Sequence, residues 1–135
     1  MPAGTFRRVI VLWRWAIKVP RLRNFRAGLR CNAWEREAWF VWRPKFGWRD
    51  LCPIVVADPL GLLVVMPRVD LSVSADDLDR LLEEVDCHPM SDAELRIGNV
   101  GRLHGRIVAF DYGLPDAEDV RERREYYRIM DSRAR

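Results

Sequence analysis

Apolar residues gather in short, β-branched runs at four places in the chain and recur at helical spacing at two others. The first run, RRVIVLWRWAIKV at residues 7–19, is rich in Val, Ile and Trp and predicts one long strand or a tight hairpin, stopped by Pro20. Residues 22–42, LRNFRAGLRCNAWEREAWFVW, predict a helix: Asn24 can cap it, and Phe25, Leu29, Asn32, Ala33 and Trp39 recur three and four apart. Gly28 is its weak point, because glycine costs about 1 kcal/mol in a helix interior. Residues 43–50, RPKFGWRD, predict a loop.

Two further strands are expected near Cys52 to Ala57 and Gly61 to Met66, with DPLG at 58–61 as a type I turn between them. Ser74 then opens a short amphipathic helix over 74–86, with Asp77 completing a small capping box and Leu78, Leu81, Leu82 and Val85 on one face. Residues 95–113 predict a second hairpin turning at His104-Gly105, and residues 116–130 a charged C-terminal helix. Strands on neighbouring segments with interspersed helices give the α+β class, with a small, mostly antiparallel sheet.

At 135 residues and 49% hydrophobic, the chain has the size of one domain, 1–135. The longest apolar runs, at 9–13 and 60–67, fall far below the roughly 18 residues a membrane span needs, and no leader cleavage pattern is visible, so no membrane contact and a cytoplasmic location are expected. Cys31, Cys52 and Cys87 lack metal or redox spacing, and His88 and His104 lie in dissimilar contexts. Charge changes the picture more. Residues 1–50 carry 12 Lys or Arg against Glu35, Glu37 and Asp50, while residues 51–135 carry 11 against 17 acids. The basic residues of 7–49 suit nucleic acid or an acidic partner; a solvated arginine face meeting the acidic half of the same chain is the plainer reading.

Four segments, in order, resemble the protein-kinase signature set. AIKV, ending a strand at Lys18, looks like the motif whose lysine contacts ATP phosphates, and Glu35, 17 residues on, stands where the helix glutamate would pair with it. LLVVMPR at 62–68 is similar to the strand entering the hinge, with Met66 in the gatekeeper place and Arg68 in the hinge. GNVGRLHGRIVAFDYG is similar to the run from the catalytic-loop asparagine to the metal aspartate, which implies Asn99 and Asp111 as Mg²⁺ ligands. The resemblance implies a helix packed on the sheet as in a kinase N-lobe, a reduced C-lobe, and ATP with Mg as cofactors, or none at all. Only Lys18 and Lys45 stand beside 21 arginines, which makes lysine at 18 a specific choice.

Plainer readings stay open for each residue. Lys18 can snorkel from a strand end, Glu35 and Glu37 can pair with Arg36 or Arg30 at the surface, Asn32 can be a polar core residue, and Asn99 and Asp111 can serve turns. The departures from a working kinase are also large. GTFRRV at 4–9 holds one glycine, with Arg7 where another would stand. Only 31 residues separate Arg68 from Asn99, the His-Arg-Asp motif is missing, and the catalytic-base place falls on Glu94, with Asp92 nearby. After Gly113 there are 22 residues, too few for a peptide-substrate lobe.

Three functions follow from this. The first is a small interaction or regulatory protein with a reduced, pseudokinase-like fold and a protein partner, without phosphotransfer. The second is a miniature Mg-ATP-dependent phosphotransferase. The third is a binder of nucleic acid or an acidic surface through Arg21, Arg23, Arg26 and Arg30, with Trp34 and Trp42 for stacking. Any of Trp34, Trp39 and Trp42 left uncovered would offer a partner surface or a homodimer contact.

Overall fold

The computed structural model describes residues 6–84 and 99–134. Strands β1 (Arg7–Leu12) and β2 (Trp15–Pro20) form a hairpin, the second of the two arrangements expected for the first apolar run. Its two-residue tip puts Trp13 at φ 54°, a conformation a right-twisted hairpin needs there. Strand β3 (Val56–Ala57) and strand β4 (Val64–Pro67) complete an antiparallel sheet of order β1-β2-β4-β3. A second pair, β5 (Val100–Leu103) and β6 (Arg106–Ala109), turns at His104-Gly105 with both residues at positive φ, as the sequence predicts. Single bridges, Leu51 to Ala109 and Asp70 to Arg102, stitch this pair to the rest.

The DPLG turn closes through a hydrogen bond from the Gly61 N–H to the Asp58 carbonyl at 3.0 Å. The strand before it is shorter than expected. Pro53 has no N–H for a ladder, and Cys52 instead donates its N–H to the Ala109 carbonyl of β6 at 2.7 Å.

Helix α1 (Phe25–Glu37) follows a 3₁₀ turn (Leu22–Asn24) and runs through a π turn (Ala38–Trp42) into α2 (Arg43–Phe46). Two expectations are corrected here. Asn24 makes no side-chain cap; the chain enters α1 from a 3₁₀ turn closed by the Asn24 N–H on the Arg21 carbonyl at 3.2 Å. Residues 43–46 are helical rather than loop despite Pro44: the π turn, in which the Arg43 N–H reaches back five residues to Ala38, changes the helix register ahead of the proline. Gly28 is explained by packing. A Cβ at this position would lie 2.6 Å from both Pro20 Cβ and the Phe6 carbonyl, so only glycine lets α1 cross the end of β2 this closely.

Helix α3 (Ala75–Glu84) opens with the expected reciprocal cap: Asp77 N–H donates to Ser74 Oγ at 3.1 Å and Ser74 N–H to Asp77 Oδ2 at 3.3 Å. Helix α4 (Ala117–Ala134) starts on Asp116, whose carboxylate accepts the Glu118 N–H at 2.8 Å. Among the described residues, no helix is long and apolar enough to cross a membrane.

The core is aromatic. Tyr127 of α4, fully buried, lies at ring distances of 6.1 Å from Trp34, 5.3 Å from Trp42, 5.7 Å from Phe46 and 5.2 Å from Trp48. Trp34 and Trp42 are therefore covered by α4, and Trp39 is half-buried under the Arg43 guanidinium at 3.9 Å. The stacking role considered for Trp34 and Trp42 is thereby corrected: these two indoles pack on Tyr127 of the C-terminal helix, while Trp39 stays half-buried.

Candidate functional site

Strand parity decides which side chains of β1 and β2 meet α1. Val9 stands opposite Lys18, and Lys18 opposite Val64, so Arg7, Val9, Lys18 and Val64 point to the helix side of the sheet. On the helix, Asn32 and Glu35 are three apart and face the same strands. The result is a buried set of ionised groups under the sheet. Arg7, Lys18, Asn32 and Glu35 are each at most 5% exposed.

Glu35 is the centre. Its carboxylate accepts from Lys18 Nζ at 3.1 Å on each oxygen, from Arg7 Nη1 at 2.7 Å and Nη2 at 3.1 Å, and from the Tyr112 backbone N–H at 2.9 Å. Arg7 Nη2 also reaches Asp111 Oδ1 at 2.5 Å, and Arg7 Nη1 donates to Asn32 Oδ1 at 3.1 Å. Lys18 Nζ gives a further hydrogen bond to the Phe110 carbonyl. Asn32 Nδ2 donates to the carbonyls of Lys18 at 3.2 Å and Gly61 at 2.9 Å. Gly61 can approach because it has no side chain: a Cβ there would sit 2.4 Å from the Leu29 carbonyl oxygen, and its φ is +82°. Two cations and two carboxylates thus cancel, and each buried charge is both paired and hydrogen-bonded, which interior ions require.

Burial pushes the Glu35 carboxyl up, but Arg7, Lys18 and their hydrogen bonds outweigh it and hold the group below its ordinary value of 4.5. A carboxylate depressed in the folded state stabilises the fold above its unfolded value and loses that contribution as pH falls through the folded value. Glu37 behaves likewise in a more exposed setting: partial burial raises it, and Arg124, clamping it with Nε at 2.9 Å and Nη2 at 2.7 Å, outweighs that. The thermal midpoint is therefore expected to hold from neutral pH down to about 4.5 and to drop steeply below it, in a calorimetric pH series; a Glu35→Gln variant should show a shallower drop. The two described thiols take no part. Burial raises Cys31 to about 11 and Cys52 to about 12, so both are protonated at neutral pH.

The residues singled out in the sequence divide as follows. Lys18, Glu35 and Asp111 do come together, with Asp111 joined through Arg7. Of these four, Asp111 alone is substantially open, its side chain 43% exposed. Met66 is fully buried on the same side of the sheet, facing Ala16 across the ladder. Arg68 stands apart at the β1–β2 tip, with its N–H on the Arg14 carbonyl at 2.7 Å and Nη1 on the Trp13 carbonyl at 3.4 Å. Asn99 sits across the hairpin from Phe110, whose N–H it accepts at 2.9 Å through its carbonyl. Glu94 and Asp92 lie outside the described residues, as do Cys87 and His88. Glu35 pairs with Arg7 and Lys18, and Glu37 with Arg124, in place of the surface partners Arg30 and Arg36.

Arg7 is the residue that motif matching passes over, since it enters there only as a missing glycine. Its signal is parity: an arginine in step with Val9 and Val11 on the inward side of a strand needs a buried carboxylate. No protein-family model, no curated protein and no solved structure matches this chain.

Proposed function

We propose that this chain is a non-catalytic interaction module on a reduced kinase-like core, in which the Arg7–Lys18–Glu35–Asp111 network is a structural clasp. The kinase-like part is supported by arrangement. The Lys18 strand lies between β1 and β4, the helix bearing Glu35 follows it directly, lysine and glutamate pair, and Asp111 follows the β5–β6 hairpin. Fold likeness alone does not carry activity, so the function rests on the groups themselves.

One observation carries the non-catalytic reading: the Arg7 guanidinium binds Glu35 and Asp111 together. Mg²⁺ would need Asp111 as a hard anionic ligand, and a cation already stands there at 2.5 Å. A phosphate would need the Lys18 ammonium, which is 1% exposed and shared between Glu35 and the Phe110 carbonyl. The residues as arranged do not fit Mg-ATP. Arg7 supplies from within the chain the positive charge that a metal would bring.

Thermal unfolding with and without Mg-ATP tests this. Addition of ATP at about 1 mM with Mg²⁺ is expected to shift the midpoint by less than about 1 °C, equally in the native chain and in Asp111→Ala. A shift of several degrees that requires Mg²⁺ and disappears in Asp111→Ala would overturn the reading in favour of a phosphotransferase whose Arg7 swings aside.

A further inference from the structure

The same parity that sends Lys18 inward sends an apolar row outward. Ile10 pairs with Ile17, Ile17 with Val65, and Val65 with Val56, one row across all four strands on the side away from α1. A second row runs Leu12, Trp15, Pro67. Ile10 is 40% exposed, Val56 51% and Leu12 56%, and at the hairpin tip Trp13 is 78% exposed. A sheet face of this composition ordinarily packs on something.

Arginines frame the face at both ends. At one end Arg8, Arg21 and Arg23 line a cavity of about 560 Å³ together with Val19, the residue opposite Arg8. At the other end the Arg14 guanidinium lies 4.6 Å from the Trp13 ring and 5.1 Å from the Trp15 ring, and Arg68 is tied to this tip. The nearest acids in sequence are spoken for: the first acidic residue of the chain is Glu35, and it is committed under the sheet. Asp58, at the β3–β4 turn, is held by the N–H groups of Leu60 and Leu62.

We propose that this outward sheet face docks an acidic amphipathic helix of another protein, which deepens the interaction-module reading and rests on it. Across the four strands the Ile10–Ile17–Val65–Val56 row spans about 14 Å at the spacing of neighbouring strands, which matches about three turns of helix lying across the sheet. An apolar stripe at i, i+3, i+4 and i+7 fits the Ile10–Ile17–Val65 row, and Asp or Glu on its flanks meets the arginines at both ends. A second copy of this chain is the poorer occupant, since face-to-face packing in either direction sets arginine against arginine. Nucleic acid is poorer as well: branched aliphatic side chains dominate the rows, and the Arg14 guanidinium already stands against both indoles nearby, Trp13 and Trp15.

The test uses the full chain and two fluorescein-labelled synthetic peptides of about 18 residues, one with leucines at helical stripe positions among glutamates, the other with the same composition scrambled. In anisotropy titrations the striped peptide is expected to bind at least about tenfold more tightly than the scrambled one. Ile10→Ser and Ile17→Ser should each weaken it by about tenfold. Arg8→Gln with Arg14→Gln and Arg23→Gln should weaken it similarly and flatten its dependence on salt between about 50 and about 200 mM. Equal binding of both peptides, no binding of either, or unchanged affinity in both serine variants would overturn the proposal. So would tighter binding to a single-stranded oligonucleotide or to phosphatidylserine vesicles, or a dimer in sedimentation that Ile10→Ser dissociates. None of these substitutions touches Asp111 or Lys18, so the Mg-ATP measurement and the peptide titration fail independently.

Discussion

Glu35→Ala is expected to destabilise the chain by about 3–5 kcal/mol, because it leaves the Arg7 and Lys18 cations in the interior with only the half-open Asp111 as counterion. Domains of this size have about 5–15 kcal/mol in total, so much of the population should be unfolded or aggregated at 37 °C. The informative experiment is a double-mutant cycle in urea. Lys18→Met alone leaves two carboxylates facing one cation, and Glu35→Gln alone leaves two cations facing one carboxylate. Together they return the cluster to one of each, Arg7 with Asp111, and the substituted amide keeps an acceptor for Arg7. The double variant should therefore be more stable than the sum of the two singles by about 1–3 kcal/mol. Additive losses would mean that charge balance does not organise the cluster. Asp111→Asn should cost far less than any buried change, under about 1 kcal/mol, because water already screens that carboxylate.

Tyr127→Ala is the second large effect expected, at about 3–5 kcal/mol. The ring stands among Trp34, Trp42, Phe46 and Trp48, and its loss leaves a cavity under α4 that those side chains, held on a helix, its extension and the segment just after it, cannot collapse to fill. The consequence should be local before it is global. Amide exchange in residues 117–134 is expected to accelerate first, because the remaining ties of α4 include the part-exposed Arg124–Glu37 and Lys45–Asp131 pairs. Tyr127→Phe, which keeps the ring, should retain most of the stability. If exchange in α4 were unchanged in Tyr127→Ala, the aromatic cluster would not be what docks the helix.

Turn chemistry made much of the fold legible in advance. Asp58-Pro-Leu-Gly61, His104-Gly105 and the Ser74/Asp77 cap each specify a local geometry through side-chain acceptors or positive φ, and each is found where those residues stand. The pairing of Lys18 with Glu35 was legible only through the resemblance to the kinase signature set, which implies a helix glutamate for the strand lysine, and the two do form a salt bridge at 3.1 Å. Arg7 was not, because its motif position concealed its strand parity, and its partner Asp111 is 104 residues away. The helical continuation through Pro44 was hidden for another reason: nothing in local composition marks a π turn, which is stabilised by the burial of Ala38 and Trp42. The fate of the indoles depended on α4, a helix whose own pattern is dominated by charge and gives little sign that Tyr127 is its anchor.

The distance along the chain between Arg7 and Asp111 has a consequence for synthesis. Every residue from Arg7 to Phe110 leaves the ribosome before the last acid of the cluster does, and the first 50 residues emerge with 12 cationic side chains against three carboxylates. Closure of the four-charge group is thus postponed until Asp111 has been made. Until then Glu35 is the one acid of the cluster that the cations of the N-terminal hairpin can meet.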